Sequence, residues 1–191
     1  MPLGEDGKLA LDFVSTIRHD GAGGVTDDFA EDRDVARWVR DRWPEWAPDT
    51  STTLPRRMRG LRRAARALFA RAVRPMPPSR PDASHLMPEA EAIHVLNEAI
   101  ADLSLDIAVE AGGASLLTVR STASADAEVL IRGAVALAVV DFLAGPHVTK
   151  LRSCQAPRCV RYFVQRHGRQ EWCKESCGNR ARAARHRARS R

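Results

Sequence analysis

No cysteine occurs in the first 149 residues of this 191-residue chain; all four stand between positions 154 and 177. That distribution excludes a disulfide framework spread over the fold and argues for a local metal site. Long hydrophobic runs are also missing. The most apolar stretch, residues 133–140, is eight residues between Arg132 and Asp141, far short of the roughly 20 that span a bilayer. The opening M-P-L-G-E-D-G-K is acidic where a secretory leader is basic, and no apolar segment with a small-residue cleavage site follows it. A soluble, cytoplasmic protein without a membrane partner is expected. The motifs H-E-x-x-H, G-x-x-x-x-G-K-[ST], G-x-S-x-G and the dinucleotide fingerprint are absent. The glycine-rich stretch Gly21 to Gly24 runs into V-T-D-D-F-A, which offers a phosphate only acids. The expectation is that the chain is not an enzyme.

Acidic residues are scarce at one end. Residues 150–191 carry 13 Lys and Arg against 2 Asp and Glu, net +11, whereas residues 1–149 carry 17 against 22, net −5. A polyanion therefore binds the last segment, where no neighbouring acids dilute the field.

Along the acidic part, hydrophobic spacing predicts mostly helices. Leu9, Phe13 and Ile17 suggest a short helix closed by the glycine loop. Asp32 caps a helix through Trp43 whose face holds Val35, Trp38, Val39 and Trp43. Trp38, Trp43 and Trp46 read as core anchors, with an indole-lined ligand pocket as the alternative. Residues 55–74 form a helix with an apolar stripe through Met58, Leu61, Ala65, Leu68, Phe69 and Ala72, opposite eight arginines. Those arginines read as solvated and paired with acids of the same chain, or as a second nucleic-acid surface. Residues 88–103 predict a helix with Ile93, Leu96, Ile100 and Leu103 inward and His94 at the core edge. Two alternating runs about A-G-G-A predict a β-hairpin. A last apolar helix, capped by Ser124 or Asp126 and stopped by Gly145 and Pro146, belongs in the middle of the core.

Cys154, Cys159, Cys173 and Cys177 form the pattern C-x4-C-x13-C-x3-C. Two close pairs joined by a short spacer suit tetrahedral zinc, one structural ion per chain, with residues 159–164 and 170–172 as a hairpin and the second pair opening a helix. Tyr162, Phe163 and Trp172 are the expected core of this small module. The closing helix is almost all alanine and arginine, with no apolar stripe to bury. On a helical wheel Arg180 and Arg187 form one row and Arg182, Arg185 and Arg189 another, with Ala181, Ala184 and Ala188 between them. Such a surface lets a backbone approach a duplex groove while guanidinium groups reach phosphates. Asn179 and Arg180, in the first turn, are candidates for base edges. Arg182, Arg185, Arg187 and Arg189 are candidates for phosphates. A disordered basic tail, or an alanine face docked on the module with the arginines merely solvated, is the alternative.

At C-x4-C, R-x-E-W-C-x3-C-G-N-R and the following A-R-A-A-R-H-R, the sequence resembles the CGNR zinc-finger family of bacterial regulators. In that family the finger follows an N-terminal ABATE domain, whose opening L-D-F-V-N-T is similar to Leu11-Asp12-Phe13-Val14-Ser15-Thr16. The resemblance implies zinc at the four cysteines, DNA binding by the finger and a stress-induced transcription regulator. The expected architecture is α+β, with a mainly helical domain over residues 1–148 that carries a β-hairpin, and a treble-clef-like zinc finger over 149–191. The first domain is the sensor or dimerisation unit, its partners a small-molecule or protein effector and a second copy of the chain. A protein-interaction or RNA-binding module is the alternative.

Overall fold

In the computed structural model, residues 5–20, 24–46, 53–83, 85–103, 106–111, 117–122 and 126–190 are described, except for the side chains of residues 5, 6, 46 and 106–122. The central element is α3 (Leu54–Ala72), with Pro55 in its first turn. Its alanine, leucine and arginine content favours helix, and proline costs nothing where no intrahelical bond is due. Eleven of its residues are buried, Arg62 and Arg66 among them. Around it pack α1 (Glu5–Val14), α2 (Asp32–Arg40), α4 (Glu89–Ala101) and α5 (Ala127–Ala144). Phe13, Phe29, Met58, Leu61, Phe69, Ile131, Val139 and Phe142 form the core, each such side chain contributing about 1.5–3 kcal/mol on burial.

Of the eight arginines predicted on this helix, five pair with acids of the same chain, as one reading had it, and the face is not all solvated. Arg62 binds Asp27 through its two terminal guanidinium nitrogens at 2.5 and 2.7 Å, and Arg66 grips Asp82 at 2.8 and 3.0 Å. Arg57 meets Glu128, Arg59 meets Asp32 and Arg71 meets Glu89. Helical spacing cannot foresee this, because the acids come from distant segments that cover the polar face of α3.

Two other expectations shift. α5 is not enclosed: Leu137 and Val140 are 42% and 38% exposed, because α1, α3 and α4 cover only its opposite side. α4 is rotated from its predicted phase. Ala92, Leu96 and Ala99 are buried, Ile93 is exposed, and His94 lies in solvent 3.6 Å from Glu98. Small residues decide the phase: Ala92 meets Ala64 and Ala67 of α3, which lets the two backbones approach. Leu103 then lies over Gly133 of α5, where a β-carbon would come within 2.2 Å of it.

Short antiparallel hairpins complete the unit. β1 (Ile17–His19) pairs with β2 (Val25–Asp27), across the predicted glycine loop, of which residues 21–23 lie outside the described residues. β3 (Asp106–Ala111) pairs with β4 (Leu117–Thr122) from Asp106↔Thr122 to Ala111↔Leu117; residues 112–116, with most of the predicted turn, are outside them. Asp126 caps α5, accepting from the Glu128 amide at 2.8 Å, and Ser124 is outside the described residues. Trp38 packs on Phe13 and Phe29 with ring centroids 5.6 and 5.5 Å apart, and Trp43 packs against the same core. The Trp46 side chain is outside the described set.

The remainder is a small hairpin, β5 (Leu151–Ser153) with β6 (Tyr162–Val164), followed by α6 (Glu175–Arg189). The molecule is α+β: a mainly helical unit followed by hairpin and helix in treble-clef-like order. No helix among the described residues is long and apolar enough to cross a membrane.

Candidate metal centre and nucleic-acid interface

β6 pairs with β5, which precedes the first cysteine, rather than with residues 170–172 as predicted. The first cysteine pair therefore lies in the loop of the β5–β6 hairpin. There the Cys154 amide bonds Arg161 O at 2.9 Å and the Cys159 amide bonds Ala156 O at 2.9 Å. Arg158, at φ 64°, takes the left-handed conformation that turns the chain into Cys159. Residues 165–172 form turns, held where the Gln165 side chain donates to Gln170 O at 2.9 Å and the Arg166 amide donates to Gln170 Oε1 at 2.8 Å. Cys173 follows them, and Cys177 sits in the first turn of α6.

The four Sγ atoms lie within 4.8 Å of one another. Cys159 to Cys173 is 3.7 Å and Cys173 to Cys177 is 3.4 Å. A regular tetrahedron with zinc–sulfur bonds of about 2.3 Å has sulfurs about 3.8 Å apart. The arrangement fits one zinc ion with no open position, and all four cysteines are free of disulfide bonds. Mutual hydrogen bonding lowers the Cys159 thiol, through Cys154 first and then Cys173. It raises Cys154, chiefly through Cys159, and Cys173, through Cys154 and Cys159. Four thiolates in one place need a cation; a divalent metal displaces the protons that Cys154 and Cys173 otherwise keep. Phe163 and Trp172 pack on the cluster, as expected of the module's core. Gly178 admits the Trp172 ring, whose Cδ1 would lie 3.1 Å from a β-carbon there.

Tyr162 departs from the expectation. Its ring joins the main core, 5.7 Å from Phe69, and Leu151 is buried there as well. The Tyr162 hydroxyl donates to Asp82 Oδ2 at 2.6 Å. Burial first, and the Asp82 carboxylate next, raise its pKa, so it stays a donor. Arg66 also donates to Val14 O at 2.5 Å and to Val160 O at 3.3 Å, and Ser79 Oγ donates to Val160 O at 2.8 Å. One buried network thus ties α1, α3 and the residue 79–82 turn to the finger.

In α6, Cys177, Gly178 and Ala181 are buried and Ala184 half-buried, so the alanine row faces the module over the first turns, as the alternative reading had it. Asn179, Arg182, Arg185, Arg187 and Arg189 are exposed. The Asn179 side-chain oxygen accepts from Arg182. Arg180 is half-buried and turned inward: Nη2 donates to Cys177 Sγ at 3.1 Å and Nε to Pro157 O at 3.2 Å. The structure brings the four cysteines together and leaves five of the six candidate contact residues in solvent, while Arg180 joins the metal centre. Its place two residues after the Cys-Gly pair was the available signal, since side chains beside a metal commonly orient its ligands. Arg66, Asp82 and Tyr162 were not legible as a network; no spacing links residues so far apart.

The family model described as "Putative stress-induced transcription regulator", ABATE, matches residues 7–146, and the model described as "CGNR zinc finger" matches residues 150–190. Neither is a family of enzymes. No curated protein matches the chain. The chain belongs to the ABATE family and carries a C-terminal CGNR zinc finger with one structural zinc ion.

Proposed function

We propose that this protein regulates transcription by binding DNA through the finger, with Cys154, Cys159, Cys173 and Cys177 as the zinc ligands. Residues 149–191 are the DNA-reading unit, and residues 1–148 the sensor or dimerisation unit. The observation that carries this reading is the outer surface of α6. Over 15 residues, about 22 Å of helix, it presents Arg182, Arg185, Arg187 and Arg189 to solvent, and its only acid is Glu175. A rigid row of guanidinium groups matches a phosphate backbone and releases its counterions. Asn179, near the start of the helix, is positioned for a base edge. Arg180, spent on Cys177 and Pro157, positions the helix instead. The helical unit, net −5, repels a polyanion and supplies regulation.

The test is affinity of the zinc-loaded protein for a DNA site selected from a random pool and for its scrambled counterpart, over a range of salt. Replacing Arg182, Arg185, Arg187 or Arg189 by Ala is expected to weaken both DNAs alike and to flatten the salt slope by about one unit. Asn179→Ala is expected to relax preference at one base pair at a cost of about 1–3 kcal/mol. Unchanged affinity in all five variants would remove α6 from the interface.

A further inference from the structure

Between the helical unit and the finger lies a recess of about 570 Å³, within the range of small-molecule sites. Leu11 of α1, Ser15 just after it and Trp38 of α2 line it, with Arg42 stacked 4.0 Å from the Trp38 ring centroid. Arg161, Phe163, Arg166 and Cys173 line it from the finger. Its charges do not balance. Asp28 is taken by Arg18 at 2.9 and 2.6 Å, and Asp12 faces Arg42 at 3.5 Å. The guanidinium groups of half-buried Arg161 and exposed Arg166 have no partner among the described residues. Arg161, held partly out of water without a counter-charge, favours an anion that supplies one, and the exposed Arg166 adds to the field. Beside these cations, the Trp38 and Phe163 rings and Leu11 offer an apolar platform for a carbon skeleton.

We infer that this recess binds a small organic anion, a carboxylate on an aromatic or aliphatic skeleton, with the carboxylate drawn by the unpaired charges of Arg161 and Arg166 and the skeleton against Trp38. The inference rests on the reading of the helical unit as the sensor and gives that sensor its ligand class and place. The cations and Phe163 come from the finger, Trp38 and Leu11 from α2 and α1, so the complete site exists only while the two are packed together. A ligand therefore stabilises the packed arrangement by linkage, and Cys173 brings that effect to the metal centre.

The experiment titrates the zinc-loaded full chain with benzoate by calorimetry at fixed ionic strength and without DNA, so its outcome is separate from that of the DNA-binding test. Saturable binding of one benzoate per chain is expected. Benzyl alcohol, with the same ring and no charge, is expected to bind at least tenfold more weakly. Arg161→Ala and Arg166→Ala are each expected to lower benzoate affinity at least fivefold. Arg169→Ala, an exposed cation outside the recess, is expected to change nothing. Arg166 is itself exposed, so its variant keeps the fold, and zinc content verifies this. Absence of saturable benzoate binding, equal affinity for benzyl alcohol, or wild-type affinity in both arginine variants would overturn the proposal.

Discussion

Arg180 stands three residues after Cys177 and returns its guanidinium to that sulfur and to Pro157 O of the β5–β6 loop. One side chain thereby clamps the start of α6 to the loop that holds the first cysteine pair. A charge-assisted N–H···S bond of this kind stabilises thiolate and orients it. Arg180→Ala is expected to lower zinc affinity about 10–100-fold, read by competition with a chromogenic chelator. Arg180→Lys recovers the charge without the two-pronged reach and is expected to fall between. Asp27 works differently. Burial alone would raise its carboxyl, but the Arg62 guanidinium and the Phe29 amide lower it by more. A carboxyl depressed by folding contributes stability above its unfolded pKa, about 3.9, and loses it as pH falls through the folded value. Asp27→Asn is therefore expected to lower the urea midpoint at neutral pH. Its acid limb below about pH 4 is expected to be flatter than the wild type's.

At the scale of elements, close approach depends on residues with little side chain. α4 meets α3 through Ala92, Ala64 and Ala67, and Leu103 at the end of α4 occupies the space that a β-carbon on Gly133 would need. Gly133→Ala gains helix propensity of about 1 kcal/mol, yet forces Leu103 aside. Overpacking of this kind costs about 1–3 kcal/mol, and the net change in urea unfolding is expected to be destabilising. In α6 the same economy turns Ala181 and Gly178 inward and every arginine but Arg180 outward. A helix so poor in apolar residues gains little from burial and would be marginal alone; Cys177 anchors it through the metal centre. Its weak apolar period left the inward alanine row as no more than an alternative reading, although the arginine rows were plain.

The whole molecule is less divisible than its charge pattern. The sharp change of composition at Lys150 suggests a helical domain that folds without the finger. Instead, Leu151 and Tyr162 are buried in the main core, and Arg66, Ser79 and Asp82 bond across the boundary. A chain ending at Val148 would leave Phe69 without its Tyr162 neighbour and strip partners from a buried arginine and carboxylate. That truncation is expected to lose at least about 3 kcal/mol, measured by urea unfolding. Zinc removal by a chelator from the full chain is expected to lower the melting temperature of the helical unit as well as unfold the finger. An unchanged helical transition would mean that the two units do not share stability.

The sequence by itself determined the metal centre, the helical character of the first unit and the placement of positive charge, because each is local. Four cysteines within 24 residues (154–177), 3.6-residue periodicity and a run of arginines keep their meaning whatever the chain does elsewhere. Only the tertiary structure decided which helix is central, which face of α4 is buried, and that Arg62 and Arg66 lie inside. Those outcomes depend on which distant segment supplies Asp27 or Asp82. It also decided the destination of Tyr162 and Arg180. A side chain in a short strand or a first helical turn has two surfaces within reach, and only the packing of the finger against the helices chooses between them.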